Sequence, residues 1–189
     1  MGNLLQKIAT AVKNRWCPED HQVIMCGLDA VGKTTVMYRL KQDAAVVETV
    51  PSCMGFQYTE KVKYKTMTIN AWDVGGSTRL RPLYRHYYVG AEALIFIVDS
   101  VDVERIEQAS TELHRMLGEP DLANAKVLIL ANKQDLPNAL ETPELVTKLG
   151  LGRIQQYWCI VGCSAYKHTG VYEGFDWLNL ILTQKPTLG

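Results

Sequence analysis

Much is missing from this chain of 189 residues, and each absence narrows what it can be. It has no excess of charge. Twenty basic residues balance twenty acidic ones, so net charge points to neither nucleic acid nor a membrane surface as a partner. No apolar run approaches the roughly eighteen residues of a membrane-spanning helix. The N-terminus lacks the continuous apolar core of a secretory signal. Cysteines are few and odd in number, at Cys17, Cys26, Cys53, Cys159 and Cys163, with no paired metal-ligand spacing. Free thiols in a reducing compartment are expected, not a disulfide framework. Repeats and low-complexity linkers are absent, and only a short tail follows Gln184.

What is present reads as a soluble globular chain, 47% hydrophobic and 21% charged, with the length of one domain carrying a substantial core. Three mainly apolar runs, Val23–Cys26, Ala93–Val98 and Lys126–Leu130, fit strands buried on both faces of a parallel sheet. Trp158–Val161 is a weaker fourth. Helical patterns lie between and after them, over Lys33–Lys41, Glu104–Leu117, Pro143–Leu149 and Tyr172–Leu182. Strand alternating with helix predicts a doubly wound α/β domain. Phe56–Val74 breaks the alternation. Val62 and Tyr64 alternate with Lys61, Lys63 and Lys65, and Met67, Ile69 and Ala71 with Thr66, Thr68 and Asn70. Period two on both sides of a turn near Lys65-Thr66 predicts an antiparallel hairpin at the sheet edge, its lysines facing solvent and discouraging further pairing.

Directly after the first strand comes Gly27-Leu28-Asp29-Ala30-Val31-Gly32-Lys33-Thr34, a match to GxxxxGK[ST], with Thr35 following. Its glycines let backbone N–H groups turn toward phosphate oxygens, and the next helix adds its positive end. Lys33 is placed to reach the β- and γ-phosphates and the Thr34 hydroxyl to ligate Mg²⁺. Asn132-Lys133-Gln134-Asp135 follows the third apolar run, and Ser164-Ala165 follows the fourth. The Asp135 carboxylate can accept from guanine N1–H and its exocyclic amine together, while adenine offers no such pair of donors. The Ala165 N–H is then placed for guanine O6. Asp73 opens Asp73-Val74-Gly75-Gly76, where the carboxylate can hold Mg²⁺ through a water and the Gly76 N–H can meet a γ-phosphate.

With these motifs in order, the chain resembles the small GTPases of the ADP-ribosylation factor and Arf-like group over nearly its whole length. "MGN", "GLDAVGKTT", "WDVGG", "RPLYRHYY", "VDSVD", "LILANKQDLPNA", "KLGL" and "YEGFDWL" carry the resemblance. It implies a GDP/GTP switch that recruits effectors to membranes, at the Golgi or elsewhere in the secretory pathway. Exchange factors, activating proteins and effectors would be its partners, nucleic acid would not, and a monomer is expected. Residues 1–20 are read as an N-terminal amphipathic helix and linker, and residues 21–184 as the GTPase domain. Leu4, Leu5, Ile8, Ala9 and Val12 share one helical face. Gly2 is a myristoylation candidate, although Gln6 replaces the usual Ser or Thr. One myristoyl chain binds membrane only at about 10⁴ M⁻¹, so the apolar face would have to add to it. The resemblance further implies that the helix docks with GDP and leaves with GTP as the hairpin slides. Phe56, Trp72 and Tyr87 match the family's aromatic triad for effectors.

Two departures stand out. The first-switch segment, Thr49-Val50-Pro51-Ser52-Cys53-Met54-Gly55-Phe56, is one residue longer than the family pattern. Either Ser52 or Cys53 falls at the Mg²⁺-ligating position; the hydroxyl suits Mg²⁺ and the thiol does not. The second is Ser77, where such enzymes commonly place a glutamine that orients the attacking water. Serine is shorter and lacks the amide's paired donor and acceptor, so Gly76, Ser77 and Lys33 form a weakened catalytic set. A slow GTPase that depends on an activating protein is one reading. A GTP-dependent binding module without hydrolysis is the other. A P-loop kinase or ATPase is disfavoured by Asp135 and Ala165.

Overall fold

The computed structural model describes residues 21–43, 47–50, 59–71 and 88–184. The strands are β1 (His21–Cys26), β2 (Val47–Val50), β3 (Thr59–Tyr64), β4 (Met67–Ala71), β5 (Ala93–Asp99), β6 (Lys126–Asn132) and β7 (Trp158–Gly162). The helices are α1 (Lys33–Asp43), α2 (Ile106–Leu117), α3 (Thr142–Lys148) and α4 (Val171–Thr183). All seven strands form one mixed sheet in the order β2-β3-β4-β1-β5-β6-β7. From β4 through β7 the pairings are parallel; β2, β3 and β4 pair antiparallel.

The apolar runs form strands because both of their faces are covered. Every residue of β5 is buried, as is every residue of β6 after Lys126. Consecutive buried side chains point to opposite faces of a sheet, so helices must cap both sides. Packing accordingly brings α2 onto β5, α3 onto β7, and α4 onto β6 and β7. Each fully buried Val, Leu or Ile there contributes about 1.5–3 kcal/mol.

The hairpin is present, with Lys65 at φ 52° in its turn. Val62 is buried and Lys63 exposed, following the alternation. Thr68 departs from it and is fully buried, because β4 lies between β3 and β1. The hairpin is not the outermost element. Val47–Val50 pairs with β3 and takes the edge; four residues are too few to show a period. The hairpin tip is tied to α4. Tyr64 Oη donates to Asp176 Oδ1 at 2.6 Å, and Lys65 Nζ meets the same oxygen at 2.5 Å. Thr66 Oγ1 donates to Asn179 Oδ1 at 2.8 Å.

Candidate functional site

In a parallel sheet the loops leaving neighbouring strands emerge at one end, where ligands commonly bind. Here the loops after β1, β6 and β7 meet at the carboxyl ends of the strands, with the end of β5 between them. The loop after β1 is built for close approach. A Cβ at Gly32, where φ is +100°, would run into the Asn132 side-chain amide, and one at Gly27 into the Ile97 carbonyl. Only hydrogen fits at either place. Ala30 adopts φ 60°, a left-handed conformation that costs a non-glycine residue about 1–2 kcal/mol.

Lys33 opens α1 and is 95% withdrawn from solvent, at 5% exposure. Its ammonium lies along its own loop, donating to the Gly27 carbonyl at 2.9 Å and to the Leu28 carbonyl. A buried cation must be satisfied in this way. Thr34 and Thr35, in the first turn of the helix, are exposed.

Asn132 joins the three loops. Its amide nitrogen donates to the Val31 carbonyl at 2.8 Å, and its Oδ1 accepts the Ala165 N–H at 3.0 Å. The Ala165 N–H thus lies at this end of the sheet, donating to Asn132. Lys133, at φ 71°, pairs with the Asp99 carboxylate at the end of β5. Asp99 also accepts the Val101 N–H at 3.1 Å. Asp135 is half-buried, and Ser164 Oγ donates to its Oδ1 at 2.6 Å. Ser164 in turn accepts the Lys167 N–H at 3.0 Å, which fixes the direction of its own proton. Gln134 ties this loop to Ser100 Oγ and to the Leu140 carbonyl, each at 2.9 Å.

The arrangement suits a guanine nucleotide. A glycine cradle that a Cβ would fill leads to a buried ammonium and an exposed hydroxyl. Across it stands a carboxylate with one oxygen already oriented and lone pairs to spare. The model of the ADP-ribosylation factor family matches residues 5–182. The chain belongs to that family. Arf-family proteins are small GTPases that bind guanine nucleotide and Mg²⁺ and work with exchange factors, activating proteins and effectors.

Within this Arf-family chain the structure brings together Gly27 through Thr35, Asn132, Lys133, Asp135, Ser164 and Ala165. Gly2, Ser52, Cys53, Phe56, Trp72, Asp73, Gly76, Ser77 and Tyr87 lie outside the described residues. Sequence reading missed Asp99, which anchors Lys133, and Arg39, whose Nε donates to the Ala165 carbonyl at 3.3 Å. Asp99 lies in the VDSVD stretch, but its contact with Lys133, like that of Arg39 with Ala165, joins distant segments and has no local spacing to reveal it. A cavity of about 600 Å³ bordered by Glu92, Lys126, Tyr157 and Ile181 opens at the opposite end of the sheet, away from this site. Among the described residues no helix is long and apolar enough to cross a membrane.

Proposed function

We propose that this Arf-family GTPase is a GDP/GTP switch of membrane trafficking, slow to hydrolyse GTP alone and dependent on an activating protein. Convergence of the Gly27–Thr34 loop with Asp135 and Ser164 at one end of the sheet carries the reading. Asp135 accepts from the guanine base, and Ser164 holds the carboxylate in the plane it needs. Lys33 leaves its loop carbonyls to meet the β- and γ-phosphates. Thr34, Ser52 and Asp73 supply hard oxygen donors for Mg²⁺, which when bound neutralises charge developing on the phosphates.

Ser77 gives the slow rate its cause. Losing one well-placed polar group around a charged transition state costs about 2.7–4 kcal/mol, or about 10²–10³ in rate. Intrinsic hydrolysis in small GTPases is already of order 10⁻⁴ s⁻¹. Residues 1–20 supply the amphipathic membrane-binding helix and its linker, assisted by myristate on Gly2, and residues 21–184 the GTPase domain. Phe56, Trp72 and Tyr87 present the effector surface at a Golgi or other secretory membrane.

The same serine supports a second reading, a binding module that keeps GTP and docks effectors without hydrolysis. Single-turnover phosphate release from γ-labelled GTP, with and without Arf-family activating proteins, separates the two. Release that is slow alone and sharply accelerated by a partner supports the switch. Tight GTP binding with no release under either condition supports the module.

A further inference from the structure

Arg105 belongs to none of the motifs used above, yet it reaches the phosphate loop from 76 positions away. It ends a short 3₁₀ turn, Val103–Arg105, that follows β5. Its Nη1 donates to Asp29 Oδ1 at 3.0 Å, and its Nη2 to the Asp29 carbonyl at 3.5 Å. On its other edge Nε donates to Asp102 Oδ2 at 2.5 Å. Asp102 also accepts the Arg105 backbone N–H at 3.3 Å. One carboxylate therefore caps the turn and aims the guanidinium that the turn carries.

The chemistry of Asp29 gives this contact a purpose. The loop from Gly27 to Thr34 collects N–H groups and the positive end of α1 for an anionic ligand. A carboxylate in its middle carries the wrong sign. Asp29 is also largely exposed. Arginine stays protonated at any working pH, and its planar fork matches a carboxylate and a carbonyl together.

We infer that Arg105 is a positioning residue for the phosphate end of the nucleotide site, holding the Asp29 carboxylate against the 103–105 turn and offsetting its charge. The inference rests on the nucleotide-binding reading given above. The added γ-phosphate brings more negative charge than GDP carries, so Arg105 favours the triphosphate over the diphosphate. Because the pair is partly exposed, the effect is modest and salt-sensitive.

The test uses the full chain with Mg²⁺ and fluorescent GDP and a non-hydrolysable fluorescent GTP analogue, at low and at physiological salt. Arg105→Ala is expected to weaken the triphosphate analogue relative to GDP by about two- to fivefold. That loss should shrink at higher salt. Arg105→Lys should fall between, retaining charge without the fork. Adding Asp29→Ala to Arg105→Ala should bring the triphosphate-to-diphosphate ratio back toward the wild-type value, which a merely structural arginine would not do. An unchanged ratio in Arg105→Ala, or no recovery in the double variant, overturns the inference and leaves nucleotide binding intact. Wild-type protein that binds neither guanine nucleotide overturns both.

Discussion

Asn132, the last residue of β6, donates its side-chain amide to the Val31 carbonyl at 2.8 Å and accepts the Ala165 N–H at 3.0 Å. It thereby joins the loop after β1 to the loop after β7. Both bonds are buried, and water cannot replace them cheaply.

Asn132→Ala leaves a buried carbonyl and a buried N–H without these partners, each costing about 1–3 kcal/mol. The expected outcome is a loss of about 2–4 kcal/mol in urea unfolding, together with faster release of labelled GDP. Asn132→Asp keeps the acceptor for Ala165 but sets a carboxylate against the Val31 carbonyl. It should release nucleotide faster too. Unfolding and release both at wild-type values would remove Asn132 as the link between the loops.

Arg115 grips the buried carboxylate of Glu112 from α2. Its Nε lies 3.1 Å from both Glu112 oxygens and its Nη2 2.6 Å from Oε1. The guanidinium also hydrogen-bonds the Tyr88 hydroxyl, whose pKa burial pushes up to about 12. Arg115→Ala should cost about 3 kcal/mol, because it removes the guanidinium that offsets the buried Glu112 charge. The double variant Arg115→Met, Glu112→Leu should be closer to wild type, and calorimetric melting temperatures give the comparison. A double variant worse than the single one would refute the buried-charge explanation.

The tie between the hairpin and α4 predicts a pH dependence. Hydrogen bonds from Lys65, then from Tyr64, hold the Asp176 carboxyl below its ordinary range. A depressed folded pKa gives stability that is present above the unfolded value, about 3.9. It is lost as pH falls through the folded pKa. Asp176 is about half exposed, so the contribution at neutral pH is no more than about 1 kcal/mol. Asp176→Asn should therefore melt slightly lower than wild type at pH 7, and the gap should close in acid below about pH 4. A gap independent of pH would show that charge plays no part.

The described cysteines are free thiols and should react in an order set by burial. Burial raises the Cys26 thiol furthest and pushes Cys163 up to about 12. Cys159 is raised too, but it is only half-buried. Since the thiolate is the nucleophile, iodoacetamide at pH 8 should modify Cys159 slowly and leave Cys26 and Cys163 unlabelled until the protein unfolds. Peptide mass spectrometry reads this directly. Rapid labelling of native Cys163 would mean that the loop after β7 opens readily.

Local pattern made much of the fold legible. β5 and β6 carry the continuous apolar stretches Ala93–Val98 and Val127–Ala131 because helices cover both faces, and the strand boundaries fall within two residues of the sequence reading. The α2 region was read as helix from Glu104, whereas Val103–Arg105 is a separate 3₁₀ turn capped by Asp102. β2 was missed because Val-Glu-Thr-Val beside Pro51 offers neither length nor alternation. At the site, the phosphate loop and the Asn132–Asp135 segment were readable from spacing. The clasps between them were not. Asn132 with Val31 and Arg105 with Asp29 join positions 101 and 76 residues apart, and no local periodicity encodes such pairs.

The most direct test of the guanine reading is calorimetric binding of GDP and ADP to the full chain in Mg²⁺, repeated with Asp135→Ala. The account predicts GDP tighter than ADP by about 10⁴-fold or more, with most of that preference gone in the variant. ADP binding within about tenfold of GDP, or a preference that survives loss of the Asp135 carboxylate, would contradict it.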